Sequence, residues 1–117
     1  MDIQAIIFDF EKAPDAEARA VLCTLRKRGY RLAASYACDA CDATFERSGK
    51  SSREALLSAA EMLGVAPGEC AAVESDCSRL SAAKENGMTA IGVGEASTCV
   101  YADICLASLA ELEDIFA

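Results

Sequence analysis

A three-layer α/β fold built on a mostly parallel sheet is what this sequence predicts, on three observations. Short apolar runs of strand length recur along the chain. Amphipathic stretches of helical period separate them. Pro, Gly, Ser and Asp stand at the joins, where caps and turns are needed. Strands that alternate with helices pair in parallel. Helices then cover both sheet faces, so the strands read as continuous apolar runs.

Residues 3–8, Ile-Gln-Ala-Ile-Ile-Phe, form the first run, and Asp9 ends it. Pro14 and Asp15 open a helical pattern in which Ala18, Val21, Leu22 and Leu25 recur at spacings of three and four. Gly29 suits the position just past its end. A second apolar run starts at Tyr30 and reaches Ser35 or Tyr36. The stretch 38–49 is polar and irregular, with at most a short strand near Thr44 and Phe45. Ser51 and Glu54 have the spacing of a capping box. Ala55, Leu56, Ala59, Ala60 and Leu63 then share one helical face, closed by Gly64. Residues 70–73 read as a third strand. Asp76 is placed to cap a helix reaching Asn86 and closed by Gly87. Residues 88–93 form a fourth strand and 104–106 a short fifth. Ser108 is expected to cap a last helix ending near Phe116. The chain has 117 residues, no internal repeat and no low-complexity linker, which fits one domain over 1–117.

Apolar residues make up 53 % of the chain, enough for a core, and this excludes a disordered protein. The net charge of −8 argues against a nucleic-acid partner, because phosphate backbones are bound by clustered Lys and Arg. The one basic run, Arg26-Lys27-Arg28, ends a helix and complements its dipole. No apolar run approaches the ~18 residues of a membrane span. The chain opens directly on a strand-like segment, so no signal peptide is expected. The seven cysteines are accordingly read as reduced thiols in a cytoplasmic protein. Cys23, Cys70, Cys77, Cys99 and Cys105 are expected to serve as small buried apolar residues. Cys38-Asp-Ala-Cys41 is a lone CxxC without the further ligands of a zinc site. There is no His, which removes Ser-His and Cys-His catalysis.

In open α/β sheets, ligands bind beyond the carboxyl ends of the strands. Asp9 and Glu11 follow the first strand, and Glu74 and Asp76 follow the third. If those strands are neighbours, their carboxylates converge, and a hard cation such as Mg²⁺ would relieve the repulsion. Lys50 stands where a helix begins, so its ammonium and the helix N-terminus could hold a phosphate together. The bland alternative is that Asp9, Ser75 and Asp76 only cap turns and helices.

The opening MDIQAIIFDFE resembles that of haloacid dehalogenase (HAD) superfamily hydrolases, in which a strand ends in Asp-x-Asp. The stretch 49–94, GKSSREALLSAAEMLGVAPGECAAVESDCSRLSAAKENGMTAIGVG, is similar without a gap to β-phosphoglucomutase-like members. The tail ADICLASLAEL is similar to their closing strand and helix. The resemblance implies a Rossmann-like HAD core. It makes Asp9 the nucleophile and a metal ligand, and it puts Glu11 at the general acid/base position, which also contributes to the metal. It assigns Lys50 to neutralising the phosphoryl oxygens and Asp9, and Glu74 to the metal site. The family's phosphoryl-binding Ser or Thr falls on Tyr36 in an ungapped reading, and on Ser35 with a one-residue deletion.

The departures from the pattern are specific. Ser75 replaces the second acid of the family's Glu-Asp pair, and Asp76 follows it, available either to the metal or to the next helix. Glu11 is one methylene longer than the usual Asp. The 36–49 segment is too short for the usual helix and strand, and Glu11 runs almost directly into the first helix, so no cap domain is expected. Two readings follow. One is a Mg²⁺-dependent phosphatase or phosphoglucomutase-type phosphotransferase working through an aspartyl-phosphate on a small phosphorylated metabolite. The other is a catalytically inactive HAD-like pseudoenzyme, a binding or interaction module. With so short a 36–49 segment, the second strand becomes an edge, and either self-association or cover by the 38–49 loop is expected.

Overall fold

The structure, a computed structural model, describes residues 2–117. Met1, the first residue of the family-like opening, lies outside them. Six strands form one all-parallel sheet in the order β3-β2-β1-β4-β5-β6. They are β1 (Ala5–Phe8), β2 (Arg31–Ala34), β3 (Ala43–Thr44), β4 (Cys70–Glu74), β5 (Thr89–Val93) and β6 (Ile104–Leu106). Four helices connect and close the sheet: α1 (Ala16–Lys27), α2 (Ser52–Leu63), α3 (Cys77–Glu85) and α4 (Leu112–Ile115). The strand containing Asp9's neighbours therefore lies beside the strand ending in Glu74, with Phe8 opposite Val73.

Each sheet face carries its own core, as alternation along a strand requires. Ile6, Phe8, Leu32, Ala34 and Ile91 point to one face, where Val21, Leu22 and Leu25 of α1 and Leu112 of α4 cover them. Ile7, Ala33, Ala72 and Ala90 point to the other, under Leu56, Ala59 and Leu63 of α2 and Leu80 of α3. The small residues of β4 and β5 let α3 sit close to the sheet. At Gly92 a Cβ would fall 2.3 Å from the Ala96 carbonyl oxygen, so the turn after β5 lies directly on that strand.

Local chemistry explains the element ends. Asp15 accepts a 2.8 Å hydrogen bond from the Ala18 amide at the start of α1. Ser51 accepts one of 3.1 Å from the Glu54 amide at the start of α2. Gly64 closes α2 at φ +68°, a left-handed conformation that costs glycine little. The last helix departs from expectation. Ser108 makes no side-chain cap, and residues 109–111 form a 3-10 turn before the single turn of α4. The Glu111 carboxylate there accepts from the Ala107 amide at 2.9 Å.

Two aspartates finish the sheet at its N-terminal margin in the same way. Asp42, just before β3, donates its amide to the Leu32 carbonyl and accepts the Leu32 amide on its side chain, both at 2.8 Å. Asp103, just before β6, makes the same pair of 2.8 Å bonds with Ala90. Each is held by a cation, Arg26 at 3.3 Å and Lys84 at 2.9 Å. Segment 38–49 thus covers the C-terminal half of β2, the second of the two outcomes expected for that edge. Segment 9–15 runs straight from β1 into α1.

The cysteine expectation needs correction. Cys77, at the start of α3, forms a disulfide with Cys99, in the turn after β5. Cys23 and Cys105 are exposed, and of the five residues expected to be buried only Cys70 is so. Cys38 and Cys41 are unbonded, and burial pushes the Cys41 thiol up to about 12. Among the described residues, no helix is long and apolar enough to cross a membrane.

Candidate active site

The parallel register brings Asp9 and Glu74 together at the carboxyl ends of β1 and β4. The Asp9 amide donates to the Val73 carbonyl at 3.2 Å, which fixes the backbone of the residue following β1. Asp9 is 4 % exposed and Glu74 is 1 % exposed. Burial raises both carboxyls above their ordinary values, since a charge is poorly solvated there. Glu74 is pushed up to about 11, by burial first, then by the Asp9 charge and by a hydrogen bond to Asp9. That bond has the opposite effect on Asp9, as does the nearby Arg47 charge. Treated as an acceptor, neither Glu74 oxygen has a donor. A proton on Glu74, donated to Asp9, gives one of these oxygens a partner.

Two arginines address the Asp9 carboxyl from different elements. Arg47, in the loop before α2, places Nη1 3.2 Å from Asp9 Oδ1. Arg79, in the first turn of α3, places Nε 3.8 Å from Asp9 Oδ2 and Nη1 3.7 Å from Glu11 Oε1. Asp9 lines a cleft of about 760 Å³ together with Glu11, Pro14, Glu74, Ser75 and Leu109 among others, and neither arginine lines it. A smaller recess of about 310 Å³ lies between Ser35, Tyr36, Arg47 and Ser48.

The remaining sequence-derived candidates are placed as follows. Glu11 faces the cleft, with its side chain 57 % exposed. Ser35 follows β2, and its hydroxyl donates to the Phe10 carbonyl at 2.9 Å. Tyr36 donates to the Glu11 carbonyl at 3.0 Å, so both alternatives at the end of β2 brace the loop that carries Asp9 and Glu11. Lys50 was expected beside Asp9, but its Nζ donates to Ser58 at 3.3 Å, and Arg47 is the cation found at Asp9. Asp76 caps α3, accepting from the Ser78 amide at 2.8 Å and the Ser78 hydroxyl at 2.6 Å. Among the described residues, no three Asp, Glu or Cys side chains converge as a metal-binding group. Arg47 and Arg79 escaped the sequence reading because each looks locally like a solvated surface cation. The signal that could have found them is a count of charge: two carboxylates at buried strand ends need counter-charges, and Arg79 lies three residues beyond Asp76.

The fold, a parallel α/β sheet with paired carboxylates at the ends of adjacent central strands, is similar to that of HAD-superfamily hydrolases. Within that class, the sequence resembles β-phosphoglucomutase. The chain is 38 % identical over 71 residues to β-phosphoglucomutase of Bacillus subtilis (strain 168), a match covering 61 % of this chain and 31 % of that protein. This chain therefore spans about a third of the length of that curated relative. The HAD phosphatase of Thermococcus onnurineus superposes with a TM-score of 0.74 at 26 % identity, covering 86 % of this chain and 57 % of that one. A haloacid dehalogenase-like hydrolase of Streptococcus pneumoniae shares the fold over 99 % of both chains, with a TM-score of 0.74 at 13 % identity. No family model matches the chain.

Proposed function

We propose that this chain is a HAD-type hydrolase domain acting slowly on phosphate monoesters of small metabolites, with Asp9 as nucleophile. The observation that carries this reading is the Asp9 carboxylate, buried at the foot of a cleft and flanked by two guanidinium groups. An Asp9 oxygen attacks phosphorus, and the bond from phosphorus to the leaving oxygen breaks. Glu11 gives that oxygen a proton. Water then attacks the aspartyl-phosphate, losing its proton to Glu11, and the bond from phosphorus to Asp9 breaks, releasing inorganic phosphate. Arg47 and Arg79 stabilise charge on the phosphoryl oxygens, and the Arg47 charge favours the ionised form of Asp9. General acid/base help is typically worth about 10²–10⁴-fold. Glu11 is exposed and leans toward Arg79, so turnover on generic esters is low.

The resemblance also implies Mg²⁺, which wants near-octahedral oxygen coordination. These residues do not fit it. Ser75 offers no charge, Asp76 is committed to its cap, and Arg79 stands within 3.8 Å of Asp9. No step is drawn through a metal.

The test is release of inorganic phosphate from acetyl phosphate and a panel of sugar phosphates. Wild type should run slightly above background, and Asp9→Asn and Glu11→Gln should fall to background. A rate that survives Asp9→Asn refutes the reading. A second reading, a binding module without chemistry, is favoured by Lys50 and Ser35, whose polar atoms are turned onto Ser58 and Phe10. Ester binding without any turnover would select it.

A further inference from the structure

We infer that Arg47 and Arg79 take the place of a divalent cation, so that the site holds the phosphoryl group of a phosphate monoester without metal. This rests on the proposed phosphate-ester reading and specifies what supplies its positive charge. The two guanidinium groups grip opposite oxygens of Asp9, Oδ1 at 3.2 Å and Oδ2 at 3.8 Å. They arrive from separate elements, a loop and a helix, so the arrangement is tertiary and not a local helix pairing. Arg79 is only 15 % exposed, and its Nη1 is buried without a hydrogen bond, Glu11 Oε1 standing off at 3.7 Å. A buried guanidinium nitrogen without an acceptor is costly, and an incoming phosphoryl oxygen would supply one. Arg47 leaves a similar opening: its Nη1 has only a long 3.5 Å contact to the Phe10 carbonyl besides Asp9.

The same positions are unfavourable for a divalent ion. A cation bound to Asp9 would sit within reach of two fixed positive charges, and like charges so close repel strongly where water is scarce. The carboxylates that could offset this repulsion are too few: Glu11 leans toward Arg79, Asp76 is held by Ser78, and Ser75 brings no charge. A planar, permanently charged guanidinium, in contrast, matches phosphoryl oxygens in geometry and does not need to be recruited from solution.

The experiment is a calorimetric titration with orthophosphate, once with chelator and once with Mg²⁺, alongside an electron paramagnetic resonance titration of free Mn²⁺. Wild type should bind orthophosphate equally under both conditions and leave the free Mn²⁺ signal undiminished. Arg79→Gln should weaken phosphate binding about 10- to 100-fold, the scale of a lost charged hydrogen bond, and Arg79→Lys should restore part of it. The wild-type comparison needs no variant to fold. Phosphate binding only with Mg²⁺, or stoichiometric Mn²⁺ binding, overturns the metal-free site and leaves the phosphate-ester reading standing. No phosphate binding under either condition overturns both.

Discussion

Replacing Glu74 by Gln should make the protein more stable at neutral pH. Glu74 is 1 % exposed and its carboxyl is pushed up from an ordinary 4.5 to about 11, chiefly by burial. In the unfolded chain the group loses its proton near 4.5, whereas in the folded chain it keeps it. Between those two values the folded state binds more protons, so stability falls as pH rises. Below 4.5 both states are protonated and nothing is lost. The slope is about 1.4 kcal/mol per pH unit. From 4.5 to pH 7 this amounts to about 3 kcal/mol, a large share of a typical stability of roughly 5–15 kcal/mol. The result requires only that the folded group stays protonated at pH 7. The Arg47 charge opposes the shift and is already contained in the value of about 11. Gln has the same shape, can donate to Asp9, and has no proton to lose. Urea unfolding followed by circular dichroism from pH 4.5 to 8 should show the two proteins level at the acid end. Glu74→Gln should then gain steadily as pH rises. A constant difference, or a variant less stable than wild type at pH 8, would refute a buried, proton-holding Glu74.

Other expectations follow from single contacts. Ser51→Ala removes the α2 cap and should cost about 1 kcal/mol, read as a lower urea midpoint at unchanged slope. Gly92→Ala forces a Cβ onto the Ala96 carbonyl and should cost about 1–3 kcal/mol in the same assay. Reducing the Cys77–Cys99 bond, which closes a separation of 22 residues, should cost about 3 kcal/mol on a chain-entropy reading. The melting temperature of Cys99→Ser should then not respond to a reductant. Since β3 covers part of β2, light scattering should show a monomer, and a concentration-dependent dimer would show that this cover is insufficient.

Most of the fold was legible because burial on both faces writes itself locally. The apolar runs of β1, β2, β4 and β5 need no distant information. β3 left almost no trace, since two residues acquire strand character only by pairing with Ala33 and Ala34. At the site, Asp9 and Glu74 were legible because strand ends announce themselves and the order of a parallel sheet makes these two neighbours. Arg47, Arg79 and the Cys77–Cys99 bond were not, because each is defined by a partner at least 20 residues away in the chain. Lys50 is a different case: its position beside a helix start was visible, whereas its bond to Ser58, eight residues on, was not.

The paired clamps at Asp42 and Asp103 divide the sheet's labour between its two rims. One rim is stitched: each outer strand is anchored at its start by an amide, a carboxylate and a basic side chain. The other rim, where Asp9, Glu74 and the two arginines meet, has separate bonds, from the Ser35 hydroxyl to the Phe10 carbonyl and from the Tyr36 hydroxyl to the Glu11 carbonyl. The clamps at Asp42 and Asp103 involve none of these residues, so changes at Asp9 or either arginine leave them in place. A chain of this design can change the residues of its cleft while its architecture stays recognisable. Substitutions at Asp42 or Asp103 should do the reverse, loosening the outer strands while leaving the residues of the cleft chemically intact.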